Sequence, residues 1–204
     1  MSERIQIPYS FNHEENKIID HHFSCHEDWE KPVFNEIKKR IIEHLRVQQE
    51  NRCCYCKREL GFDIKDVDIE HVIPKSKYAI YTFYSYNLAL SCPGCNTKKS
   101  HKDVLDAPAK RYPRSPNRFI IVHPHYDNYS DHIHIIDECV YIPVTSKGCR
   151  IIEFCELFRL KKVFQNAQAN RTSRSNLSKI IEELRQGNNS EVKAFVAEIK
   201  NLIK

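Results

Sequence analysis

Glycine is scarce in this chain, with only 4 in 204 residues, and there is a single tryptophan. Neither G-x-G-x-x-G nor G-x-x-x-x-G-K-[S/T] occurs, so a Rossmann-type or P-loop nucleotide site has no support. No apolar run approaches the roughly 20 residues needed to span a bilayer, which excludes a membrane-spanning helix. The opening residues, MSERIQIPYSFNHEE, carry early acids and lack the apolar stretch of a secretion signal. These absences predict a cytoplasmic protein, whose thiols stay reduced. Nine cysteines, an odd number with four in Cys-x-x-Cys spacing, then favour metal binding over disulfides.

The charge balance is mildly basic, at +5 with a pI near 8.7. Its distribution says more than its size. Across residues 98–118 the cations Lys98, Lys99, Lys102, Lys110, Arg111, Arg114 and Arg118 face only Asp103 and Asp106. Such a segment suits a polyanionic partner, although a solvated loop would have the same composition.

Taken in order, the chain divides into three. Residues 1–50 form an N-terminal arm, with Ile5, Ile7, Pro8 and Tyr9 in a short strand or extended segment, followed by a helix over 31–50. Pro32 suits that helix's first turn, and Phe34, Ile37, Ile41 and Leu45 recur at helical spacing. His21, His22, Cys25 and His26 match no common ligand spacing and are expected in a surface loop. Trp29 is expected to be a buried anchor. Residues 51–105 form the core unit. Residues 106–204 begin with a proline-broken stretch and continue with a buried strand at FIIVHP (119–124). Strands at 132–136 and 140–145, joined as a hairpin across Asp137, Glu138 and Cys139, come next. Helices then follow, one from Ile151 to about Ala167, a second through Leu177, Ile180, Ile181 and Leu184, and a third capped by Ser190. The fold class is α+β.

The core unit carries the chemistry. Cys53 and Cys56 make one knuckle, and Cys92 and Cys95 another, supplying four thiolates for a closed tetrahedral zinc site. Cys54, between two ligands, is read as a non-ligand. The knuckles stand 35 residues apart, so a whole element is inserted between them. In that insert VDIEHV (67–72) alternates like a half-buried strand and ends at Pro74 and Lys75. NLALS (87–91) reads as the returning strand, and Asn96 onward reads as a helix start.

The order CCYC (53–56), EHVIP (70–74), NLALSC (87–92) and CPGCNTKK (92–99) resembles the HNH endonuclease family in its zinc-bearing branch. The likeness covers roughly a quarter of the chain. It implies a ββα-metal fold in which His71 is the general base, Glu70 and Asn96 ligate a catalytic divalent ion such as Mg²⁺, and Asn87 holds the loop between the strands. With Asn96 at a helix N-terminus, backbone N–H groups would also face a phosphate. Lys75, Lys98 and Lys99 would contact backbone phosphates. Where the family commonly has Asp before the histidine, this chain has Glu, which sets the ion about one methylene further out. The last family position is Asn rather than His, which disfavours softer ions, and His101 stands as an alternative ligand there.

The implied function is metal-dependent hydrolysis of phosphodiester bonds in DNA. A looser likeness to small HNH proteins of retron- and Septu-type anti-phage systems implies an ATPase partner. The alternative is a non-catalytic zinc-ribbon adaptor binding nucleic acid or protein. The residues His123, His125, Asp127, His132 and His134 lie outside the motif and are read as tying a loop to a strand through Asp127 and His132, or as flanking the site or binding a second ion.

Overall fold

The computed structural model describes residues 2–136 and 140–160, together with Ser190, Lys193 and Ala194. It is a mixture of helices and two small antiparallel sheets. Helix α1 spans His13–His22 and α2 spans Asn35–Gln48. Strands β1 (Asp68–His71) and β2 (Leu88–Ser91) pair, and α3 (Pro93–Lys99) follows β2 almost directly. Strands β3 (Ile133–Ile136) and β4 (Val140–Pro143) pair next, and α4 covers Ser146–Phe154. Among the described residues no helix is long and apolar enough to cross a membrane.

The first helix was not expected from periodicity, and its reason is local. Asn12 accepts a hydrogen bond from the Glu15 N–H while Glu15 accepts one from the Asn12 N–H, the reciprocal capping box. The Asn-x-x-Glu spacing was the available signal. Residues 5–11 ahead of it form no strand and bend at Gln6 and Ile7, with the Ile5 N–H donating to the Pro124 carbonyl. The second helix starts at Asn35, after a 3₁₀ turn over Pro32–Phe34, and buries Ile37, Ile41 and Leu45 as the spacing predicts.

Residues 119–124 do not form the expected strand. Phe119 makes one bridge to Leu105, and Phe119, Ile121 and Val122 are buried without further ladder pairing. Pro124 has no N–H to offer, and at His123 the chain turns so that its carbonyl accepts from Tyr126 and Asp127. The β3–β4 pair occurs as expected, in the register Ile133↔Pro143 to Ile136↔Val140, while residues 137–139 lie outside the described residues. The helix expected from Ile151 instead begins at Ser146, capped by Thr145, and stops at Phe154. Glu156 at φ 47° breaks it, and a 3₁₀ turn spans Leu157–Leu160. The two later helices fall outside the described residues, apart from the helical positions Ser190, Lys193 and Ala194.

A single hydrophobic cluster runs from Ile5 through Phe34, Leu45, Tyr55, Leu88 and Ile121 to Leu157, so the arm, the central unit and β3–α4 share one core. Gly148 lets α4 approach β3: a Cβ there would stand 2.0 Å from the His132 carbonyl oxygen. Beside it Asp127, 8% exposed, gathers Lys147 (2.9 Å to each carboxylate oxygen), His132 Nε2 (3.4 Å) and the His123 N–H (2.8 Å). This is the loop-to-strand tie that Asp127 and His132 suggested.

Burial alone would raise the Asp127 pKa, but its hydrogen bonds and Lys147 win and hold it at about 2 against an ordinary 3.8. Because the folded value is the lower one, the stabilisation is complete above pH 3.8 and is lost as pH falls toward 2. Asp127→Asn is therefore expected to cost about 2 kcal/mol at neutral pH. The deficit should shrink through that acidic window when urea unfolding of the two proteins is compared.

Candidate active site

The two knuckles are built by different means. In the first, Cys53 O accepts from the Lys57 N–H and the Cys53 N–H donates to Arg58, a tight turn that puts Lys57 at φ 56°. In the second, Cys92 is the N-cap of α3, and its sulfur accepts from the Cys95 N–H at 3.4 Å. The Sγ atoms of Cys53, Cys56, Cys92 and Cys95 lie within 4.8 Å of one another. Cys56 and Cys92 are 3.8 Å apart, and a tetrahedron with Zn–S bonds of about 2.3 Å has edges of about 3.8 Å. The donor set and its spacing fit a zinc ion. Cys54 stays outside the group, buried, with its N–H donating to Leu90. Arg159 reaches back from the 3₁₀ turn after α4 and donates to Cys95 Sγ at 3.4 Å. Gly94 makes room for that guanidinium, since a Cβ there would meet Nη2 at 2.7 Å.

Between the knuckles, β1 presents Glu70 and His71 at its end. Glu70↔Ala89 and His71↔Leu88 are the pairs on β2, and Gln49 clasps the far edge of β2 through the Leu90 N–H (2.7 Å) and carbonyl (2.9 Å). Strand alternation sends the two side chains to opposite faces. They nevertheless line one cleft of about 460 Å³, because it opens around the end of the strand; Lys75, Asn96, His26 and His101 line it too.

His71 is 7% exposed, with its ring edge-to-face against Trp29 at 4.6 Å. Nε2 donates to the Thr82 carbonyl at 3.2 Å, so the other ring nitrogen, Nδ1, carries the lone pair. Burial, with Lys75 and Lys99 near, pushes its pKa down to about 3, and the imidazole is neutral at pH 7.

Glu70 is 2% exposed, and one oxygen, Oε1, takes both the Lys99 ammonium (2.5 Å) and the Tyr55 hydroxyl (3.1 Å). Burial raises its pKa, and Lys99 works against that rise. Oε2 has no partner among the described residues and belongs to a side chain that lines the cleft. Asn96 donates through Nδ2 to Asp68 at 2.9 Å. A carboxylate can only accept, so the amide nitrogen must be the atom on Asp68 and the carbonyl oxygen is left over. Two oxygen donors and a neutral imidazole thus meet at one opening. Oxygen donors fit a hard divalent ion such as Mg²⁺.

Two expectations need correcting. Lys99 is not a surface contact for phosphate: it is 1% exposed, tied to Glu70 and to the His71 carbonyl at 3.0 Å. Lys98 pairs with Glu156 at 2.8 Å, while Lys75 does line the cleft. The helix begins at Pro93, so Asn96 sits on its second turn and not at its N-terminus. Asp68, Thr82, Tyr55 and His26 were all missed. Asp68 was the readable one, standing two residues before Glu70 and so on the same strand face.

Asn87, fully buried, ties the intervening loop: Oδ1 accepts from Ile73 N–H (2.7 Å) and Nδ2 donates to the Ile73 and Tyr81 carbonyls (3.0 Å each). Behind it stands Tyr112, whose hydroxyl donates to the Tyr86 carbonyl (3.0 Å) and reaches Asn87 Oδ1 (3.3 Å). The same hydroxyl meets His123 Nε2 at 2.9 Å, and His123 Nδ1 accepts from the His125 N–H at 3.1 Å.

Comparison with known proteins agrees with the motif. Residues 53–102 match the family model of HNH endonuclease. The Septu protein PtuB of Bacillus thuringiensis is 30% identical over 112 residues, 55% of this chain and 36% of that protein. The chain thus spans about a third of the length of that relative. No solved structure matches the chain.

Cys56→Ser or Cys92→Ser is expected to lose a bound zinc by elemental analysis and, with it, the cooperative thermal transition. Lys99→Met should cost about 3–5 kcal/mol by leaving Glu70 buried without its partner. Adding Glu70→Gln should restore much of that loss in urea unfolding.

Proposed function

We propose that this protein is a metal-dependent endonuclease that hydrolyses DNA phosphodiester bonds, with a structural zinc at the four cysteines. The observation that carries the reading is the convergence in one cleft of His71, held by the Thr82 carbonyl, with Glu70 and Asn96. In this reading His71 Nδ1 takes a proton from the water that attacks phosphorus. The phosphorus–O3′ bond breaks, leaving a 5′ phosphate. A divalent ion such as Mg²⁺ on Glu70 Oε2 and Asn96 Oδ1 would supply Lewis-acid stabilisation of the charge on phosphate and leaving oxygen.

The chain's own residues prepare that chemistry. Thr82 fixes the tautomer and orientation of His71, and Trp29 shields its ring from water. Lys99 and Tyr55 hold Glu70 by one oxygen so that the other can be offered. Asp68 fixes the rotation of the Asn96 amide. Lys75, 28% exposed along its side chain, is placed to meet a phosphate oxygen, at the cost of its 3.5 Å pairing with Glu30. Likeness to the Septu protein supports a place in a bacterial anti-phage system. We propose that it acts there in the cytoplasm beside an ATPase partner.

His71→Ala is expected to keep the fold and the zinc while cutting Mg²⁺-dependent plasmid cleavage by about a hundredfold or more. Full activity in the folded variant would refute this assignment. A wild-type protein that binds DNA equally with and without Mg²⁺, and fails to nick it at any concentration of any divalent metal, would instead be the zinc-ribbon adaptor.

A further inference from the structure

Much of the charge in the basic segment at residues 98–118 is already engaged within the fold. Lys98 pairs with Glu156, Lys99 is buried on Glu70, Arg118 pairs with Asp106, and Lys102 is held by the Lys98 and Phe154 carbonyls. Lys110, Arg111 and Arg114 are exposed and make no ion pair or hydrogen bond among the described residues. The free positive charge of the segment is therefore displaced to its middle.

That middle lies against an aromatic wall. Tyr84, Tyr86 and Tyr126 line, with Arg114, a second cleft of about 380 Å³ that has no acidic residue in its lining. The ring centroids of Tyr86 and Tyr126 are 5.6 Å apart at 31°, and those of Tyr84 and Tyr86 are 6.0 Å apart at 35°. Tyr86 is 37% exposed. None of the three hydroxyls has a partner among the described residues, whereas the buried Tyr81 and Tyr112 hydroxyls are both engaged. The wall is also fixed in place. Tyr112 backs Tyr84 at 4.4 Å and bonds the Tyr86 carbonyl, while the Tyr81 hydroxyl bonds the Ala109 carbonyl and holds the cationic loop beside it.

Rigid aromatic faces with unspent hydroxyls beside the unpaired Arg114 guanidinium, with Arg111 and Lys110 three and four residues back along the same loop, are what an unstacked base and its flanking phosphates require. An apolar protein ligand would not need the cations, and a plain phosphate would not need the rings. We propose that the Tyr84–Tyr86–Tyr126 cleft binds an unpaired base of a single-stranded stretch of nucleic acid, with Arg114, Arg111 and Lys110 on its phosphates. This rests on the nucleic-acid reading of the catalytic cleft and names the substrate feature it selects. Tyr84 and Tyr86 sit on the same loop as Thr82, the residue that holds His71, so one loop serves both clefts.

The test is fluorescence anisotropy of the full chain, in magnesium-free buffer, with a labelled oligothymidylate, the same strand bearing abasic sites, and the matching duplex. Tyr86→Ala is expected to lower the ratio of single- to double-stranded affinity about tenfold, since it removes the ring on which a base stacks. Tyr86→Phe should retain it, and wild type should bind the abasic strand about as weakly as Tyr86→Ala binds the intact one. Arg114→Ala, a change at an exposed side chain, should reduce the salt slope of single-strand binding by about one. Equal binding of abasic and intact strands, or an unchanged ratio in Tyr86→Ala, would overturn the proposal. Plasmid cleavage by wild type is read in parallel. Cleavage without a base-dependent ratio refutes the aromatic cleft alone, while a base-dependent ratio without cleavage supports the cleft and refutes the nuclease reading.

Discussion

Lys99 and Glu70 meet where neither is more than 2% exposed, and removing two charges from water costs several kcal/mol per ion before any attraction is returned. The cost is bearable because each charge has further partners: the Tyr55 hydroxyl on the carboxylate, the His71 carbonyl on the ammonium. These partners come from the first knuckle, the end of β1 and the last residue of α3. One pair therefore fixes the relative positions of the three elements that frame the cleft. Glu70 is left with a single oxygen free, and a carboxylate already half neutralised is a weak lone ligand. In the proposed site it would suit an ion that arrives with additional oxygens of its own.

The second constraint is the grouping of four sulfurs. Closing the chain at Cys53–Cys56 and Cys92–Cys95 confines an insert that has only two four-residue strands and three short 3₁₀ turns of regular structure. Between those strands the loop is three short turns, and its order comes from Asn87 and not from a ladder. Arg159 extends the same constraint outward, because the stretch after α4 is hydrogen-bonded to Cys95. The motif's boundary is thus not the boundary of what holds it.

The knuckles, the strand pair and α2 were readable because each depends on local spacing: Cys-x-x-Cys, apolar alternation, and Phe34–Ile37–Ile41–Leu45. Glu70, His71 and Asn96 were readable as a set only through their order between the knuckles. What failed has physical causes. Lys99 looked like any surface lysine, since nothing in sequence says that a carboxylate awaits it in the interior. The apolar run at 119–124 was read as a strand because burial and pairing leave the same signature, and only burial is realised there. Helix α1 escaped because its stability starts from a cap rather than a stripe: its polar faces gave no period, while Asn12 and Glu15 closed the first turn.

The link from His123 through Tyr112 to Asn87 has a direction. With Nδ1 accepting from a backbone amide, Nε2 must be the protonated nitrogen and must donate to the Tyr112 oxygen, whose own proton then goes on to the Tyr86 carbonyl and Asn87. Burial holds the His123 imidazole neutral, its pKa far below the usual value. The strut behind the loop between β1 and β2 is thus a string of dipoles with no net charge anywhere along it. Ionic strength that screens surface pairs such as Lys98–Glu156 has nothing to act on here. The loop's position is referred to a main-chain amide at His125 and not to a surface ion pair.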